Sequence, residues 1–189
     1  MHKIFICIVM MMSVALASMT THADSPTKFN AALGGAQQVV NVDVGTGTIP
    51  VEGVVTGAYG KVKFHLANDR SEIHYIFKAA NTATPIFMAH IHLGPKGQNG
   101  PVVFWLYADA SVNPNFPRSD GPFSGEMNGV LTVADLVMPT DSEGRVLLST
   151  FEDAIANIMN GNTYVNVHTL ARPGGEIRGQ LEGSHHRRH

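Results

Sequence analysis

His90-Ile91-His92 carries two imidazoles at positions i and i+2 of a segment with strand alternation, so both leave one face while Ile91 points the other way. A third imidazole follows in Tyr164-Val165-Asn166-Val167-His168-Thr169, where two valines alternate with Asn166 and His168. Lone strand histidines are ordinarily surface or hydrogen-bonded residues, but three from two strands make a ligand set suited to copper or zinc. Turn positions extend the set. A hairpin turn centred on Asp69 and Arg70 would place His65 opposite His74, and a second turn centred on Ala83 would place His74 opposite His92. His74 is therefore a candidate fourth ligand, with His65 and Met88 as further options. Arg172, four residues after His168, and Arg178 are candidate cations for drawing a small anion to a metal; both also suit structural pairing, Arg178 with Glu176 or another acid.

These residues need strands to position them, and the chain supplies the pattern. Val62, Phe64 and Leu66 alternate with Lys61, Lys63 and His65, and after Asn68-Asp69-Arg70-Ser71 the residues Ile73, Tyr75 and Phe77 alternate with Glu72, His74 and Lys78. Further strands are expected at 86–93, 102–107, 123–131, 164–169 and 176–181. One short helix is expected, capped by Thr150, with Glu152 and Asp153 in its first turn, an apolar stripe of Ala154, Ile155 and Ile158, and Gly161 at its end. Seven or more short strands with a single helix predict an all-β, Greek-key sandwich or barrel. Gly94-Pro95-Lys96-Gly97 reads as a turn able to shape the rim of the histidine site and position His92.

The first 23 residues carry Lys3, an apolar run over 4–17 and then Thr21-His22-Ala23, the pattern of a secretory leader rather than a membrane span. This predicts export to the periplasm or beyond, no stable membrane insertion after cleavage, and a single domain over 24–183 followed by a tail, 184–189, rich in His and Arg. Cys7, the only cysteine, falls in the leader, so the domain has neither a disulfide nor a thiolate ligand. The formal charge of −2 and the lack of a basic cluster before the tail argue against nucleic-acid binding. No Gly-x-Ser-x-Gly elbow, Walker-type loop or Gly-x-Gly-x-x-Gly fingerprint is present, so hydrolase, NTPase and dinucleotide readings have no footing.

Ala32-Leu33-Gly34-Gly35-Ala36-Gln37, then Ala89-His90-Ile91-His92-Leu93-Gly94-Pro95, then the stretch from Gly161 to Thr169 with Pro173-Gly174-Gly175-Glu176-Ile177-Arg178-Gly179-Gln180 together resemble the CHRD domain over about 29–181. The resemblance implies an extracytoplasmic β-sandwich and supplies no reaction. Arg172, where the family pattern has Asn, and His74 are departures from it. A more distant similarity is to the copper/zinc superoxide dismutases, in which a His-x-His strand and a later histidine hold copper on a Greek-key barrel. That similarity implies a superoxide-dismutase-like fold, with an immunoglobulin-like one as the alternative, and copper as the metal. It implies no structural zinc, because no histidine lies between Leu93 and Val167. Two functional classes stay open. One is an exported mononuclear copper protein, either a superoxide dismutase or a copper carrier. The other is a metal-free module that binds a partner.

Overall fold

The computed structural model describes residues 27–108 and 123–184. β1 (Lys28–Gly34) buries Phe29, Ala31 and Leu33 on one side. β2 (Val39–Asp43) and β3 (Thr48–Glu52) make a separate exposed hairpin. β4 (Tyr59–Leu66) and β5 (Ile73–Ala80) alternate strictly, with Val62, Phe64, Tyr75 and Phe77 inward and Lys61, Lys63, His74 and Lys78 outward. β6 (Ile86–Leu93), β7 (Val102–Ala108) and β8 (Gly125–Leu131) follow. The helix α1 (Phe151–Met159) starts where expected: the Thr150 hydroxyl accepts from the Asp153 N–H at 3.0 Å, and Phe151, Ala154, Ile155 and Ile158 are buried. β9 (Thr163–Thr169), β10 (Arg172–Gln180) and the two-residue β11 (Glu182–Gly183) end the described chain.

Nine of these strands form one antiparallel, nearly closed, barrel-like sheet in the order β7-β6-β9-β10-β1-β4-β5-β8, with β11 on β1. The fold is all-β with one short helix. Non-sequential neighbours such as β6 and β9 require crossovers, which separate His90 and His92 from His168 widely in sequence while making them neighbours in space. β5, next to the edge strand β8, is tied to the opposite edge strand: the Tyr75 hydroxyl donates to the Leu106 carbonyl on β7 at 2.8 Å. Ile86, Ala89, Ile91, Phe104, Val165, Val167 and Ile177 fill the interior, and α1 closes it through Phe151 edge-on to Phe104.

Two expectations need correction. The turn at Asp69 and Arg70 forms and His65 does pair with His74, but β5 takes β8 as its other neighbour, so His74 faces Val130. His92 instead lies between Val102 and Tyr164, and the chain from β5 to β6 crosses the barrel rather than turning back on itself. The other correction concerns β9. Its valine alternation predicts a half-exposed strand, yet all seven of its residues are buried, because the loop over residues 94–101 folds across its polar face. The expected leader over 1–23, Cys7, and the tail beyond Ser184 lie outside the described residues. Among the described residues no helix is long and apolar enough to cross a membrane.

Candidate metal centre

His90 and His92 leave β6 on the face opposite Ile91 and Ala89, and His168 reaches the same place from β9, where it pairs directly with Met88. One ligand nitrogen from each ring lies within 4.8 Å of the other two. An ion bonded to three nitrogens at about 2.0–2.1 Å holds them about 3.5 Å apart, a spacing inside that 4.8 Å bound. His90 and His168 are 4 % and 8 % exposed, so the cluster is internal rather than a surface coincidence.

Two of the rings are held in one orientation by hydrogen bonds. His92 Nδ1 donates to the Gly100 carbonyl at 2.8 Å, and His168 Nδ1 donates to the Pro173 carbonyl at 2.9 Å. A carbonyl only accepts, so both Nδ1 atoms carry the proton and both Nε2 atoms present a lone pair. Those Nε2 atoms have no hydrogen-bond partner, and neither ring nitrogen of His90 has one. Of eight buried side-chain N and O atoms without a partner among the described residues, four belong to this triad. A buried acceptor left unpaired costs about 1–3 kcal/mol, so such a concentration points to a group that the lone pairs are built to meet. Aromatic rings wall the cluster: Trp105 stands edge-on to His90 at 4.2 Å, and Phe87 is edge-on to His168 at 6.3 Å.

Gly100 is required where it stands, because a Cβ there would overlap the Leu93 carbonyl. Gly100→Ala must therefore shift the carbonyl that orients His92. A loss of metal affinity of about tenfold, with the other two ligands intact, is expected in a competition titration; unchanged affinity would show that the His92 ring is fixed by something else.

Burial sets the electrostatics. It pushes His90 down to about 3, helped by the neighbouring His168 and His92. Burial likewise holds His92 at about 4, against the opposing Gly100 hydrogen bond, and lowers His168. All three imidazoles are thus neutral over the physiological range, the form in which a ring nitrogen can bind a metal.

The residues that build this cluster fall inside a recognised sequence unit, for the family model of the CHRD domain matches residues 29–181. The chain belongs to the CHRD family. Comparison with curated proteins finds no match, and comparison with solved structures finds none either.

The CHRD domain gathers His90, His92 and His168 and leaves the other candidates elsewhere. His74 is half-exposed on β5 and meets Glu72 at 2.8 Å, and His65 stands beside it on the same outer face. Arg172 is exposed and donates to the Val55 carbonyl at 3.3 Å. Arg178 is 2 % exposed and forms no pair with Glu176. Its guanidinium covers the Tyr164 ring at 3.4 Å, and Tyr164 stacks on His92 with centroids 4.9 Å apart, so a tyrosine separates the cation from the triad. Arg178 also donates to the Gln98 carbonyl at 2.7 Å and the Asn99 Oδ1 at 3.1 Å, in the loop that carries Gly100.

Glu176, expected from the sequence as a partner for Arg178, instead anchors a network of its own. Glu176 is fully buried and accepts from the Thr56 hydroxyl at 2.5 Å, the Thr169 hydroxyl at 2.7 Å and the Ala83 N–H at 3.1 Å. It ties the approach to β4, the β5–β6 crossover and the end of β9 together beside His168. Two of its three donors are about a hundred positions distant, so no local spacing could have revealed it.

Proposed function

We propose that this CHRD domain is an exported mononuclear copper protein, with His90, His92 and His168 as ligands and superoxide dismutation as its reaction. The observation that carries the reading is the convergence of buried, unpaired Nε2 lone pairs, two of them oriented by backbone carbonyls. Three neutral imidazoles inside an aromatic wall, with no carboxylate in the cluster, suit the low charge of Cu(I) while still binding Cu(II). Copper held there would supply one-electron chemistry: superoxide gives up its electron in one half-cycle, and in the other takes one up together with two protons to form hydrogen peroxide. A buried cluster admits only a small substrate. Arg172, on the strand end next to Pro173, is the residue assigned to steer the anion, and Arg178 is assigned to positioning. Export rests on the leader pattern over 1–23.

Trp105 is the only tryptophan of the chain and touches His90, which makes it a reporter of occupancy. Copper titration should quench its fluorescence at one equivalent, with nitrogen hyperfine structure in the EPR spectrum. The His90→Ala, His168→Ala double variant should bind copper at least 100-fold more weakly at this site and lose any superoxide turnover. A wild-type chain that takes up no copper would sink the proposal and leave the metal-free binding module. One that binds copper without turning over superoxide would point to a carrier.

A further inference from the structure

The outer face of β1, β4 and β5 plays no part in the histidine cluster, yet its composition is distinctive. Register lays it out in rows: Lys28 opposite His65 and His65 opposite His74, Asn30 opposite Lys63, and Lys61 opposite Lys78. Four of the six lysines in the sequence therefore share one sheet face, on a chain whose formal charge is −2. Lys61 and Lys78 stand directly across from each other, and like charges so placed destabilise a sheet. Glu126 meets Lys78 at 2.5 Å. Among the described residues no acid pairs with Lys28, Lys61 or Lys63.

The face is concave. Lys28, Lys61 and Lys63 line one groove of about 670 Å³ together with His65, His74 and Asn30. The described chain also ends there: the Ser184 hydroxyl accepts from the Asn30 amide at 2.8 Å, and the sequence beyond it carries Arg187 and Arg188.

We propose that this groove binds a linear acidic polysaccharide. Uncompensated like charges ask for an external polyanion. Lys61 and Lys63 stand about 7 Å apart along one strand, and Lys28 lies on the neighbouring strand diagonal to Lys63, a spread of cations that suits a polymer bearing carboxylate or sulfate groups at intervals. A groove receives a chain better than it receives a flat bilayer. Tyr59, 59 % exposed and next in line beyond Lys61, offers a ring face on which a sugar can pack. This inference does not depend on the metal reading, since its residues lie on a different part of the sheet.

The test uses the full chain and immobilised alginate, a polyuronate, followed by biolayer interferometry. Neutral dextran and vesicles of phosphatidylcholine with one quarter phosphatidylglycerol serve as comparisons. Alginate binding should weaken steeply with salt, with a log–log slope of about −2 to −3. Lys61→Glu with Lys63→Glu should reduce it at least 30-fold, and the milder Lys61→Gln, Lys63→Gln pair at least fivefold, while Lys96→Glu, away from this face, changes it less than twofold. An unchanged melting temperature and Trp105 signal confirm that the variants are folded. The proposal is overturned if alginate is not bound at low salt, if the vesicles are bound as tightly as alginate, or if folded variants at Lys61 and Lys63 bind like the parent.

Discussion

Between pH 7 and pH 5 the metal affinity of the triad should fall far less than that of three ordinary imidazoles. Three histidines titrating at the ordinary value near 6.5 would each be mostly protonated at pH 5 and would together lose on the order of 10⁴ in affinity. Here burial holds His90 at about 3 and His92 at about 4, so at those two rings protons do not compete with a metal until the medium is far more acidic, and burial lowers His168 in the same direction. The same shifts have a cost for the metal-free fold. The unfolded chain takes up protons as pH drops below about 6.5 that the folded triad refuses, so unfolding is favoured increasingly from about pH 6.5 down toward 4. Above pH 7 neither state binds them and the effect vanishes. Denaturant unfolding of the metal-free protein at pH 7.5 and pH 5 should show the loss, and His90→Leu should flatten it. Metal affinity that falls in step with three protons of ordinary pKa would refute the assignment of a neutral, buried triad.

Arg178→Met should destabilise the domain by about 3–5 kcal/mol, roughly a 10 °C fall in melting temperature for a chain of this size. The guanidinium is buried, covers Tyr164, and holds the carbonyls and the Asn99 amide oxygen of the loop over 94–101. Methionine replaces the bulk but leaves those acceptors without a donor. That loop presents the Gly100 carbonyl to His92 and the Gly100 N–H to the Tyr164 hydroxyl, so metal affinity should fall about tenfold as well. Arg172→Met, at an exposed position with one long hydrogen bond, should change stability by less than about 0.5 kcal/mol. Thermal melts of both variants decide the matter. Equal and small effects would mean that the loop is held by its backbone alone.

What could be read from the sequence was local. The i, i+2 spacing of His90 and His92 fixes their common face through strand periodicity alone, the bounds of β6 follow from its apolar run, and the Thr150 cap and apolar stripe of α1 are set by neighbours in the chain. Register across the Asp69 turn was also legible, because turn length dictates it. Sheet order was not. The placement of His74 depended on whether the chain turned back or crossed over after β5, and no residue near Ala83 encodes that choice. The burial of both faces of β9, the support of His92 by Arg178 through a loop some eighty positions earlier, and the network at Glu176 all arise from long-range closure. The exposed β2–β3 hairpin, by contrast, is a local feature, with Gly45 and Gly47 at positive φ in its turn.

The crossover that joins β6 to β9 gives the site a place in time. His90 and His92 are synthesised well before His168, and alone they offer two imidazoles from one strand. The third arrives only when β9 docks between β6 and β10, and its ring is oriented only once Pro173 has started the last long strand. If the triad holds copper as proposed, a nascent or half-assembled chain would have little hold on the ion, and tight capture would begin when the barrel is complete. Metal uptake would then report finished folding rather than guide it, and would lock the last-docked strands against reopening.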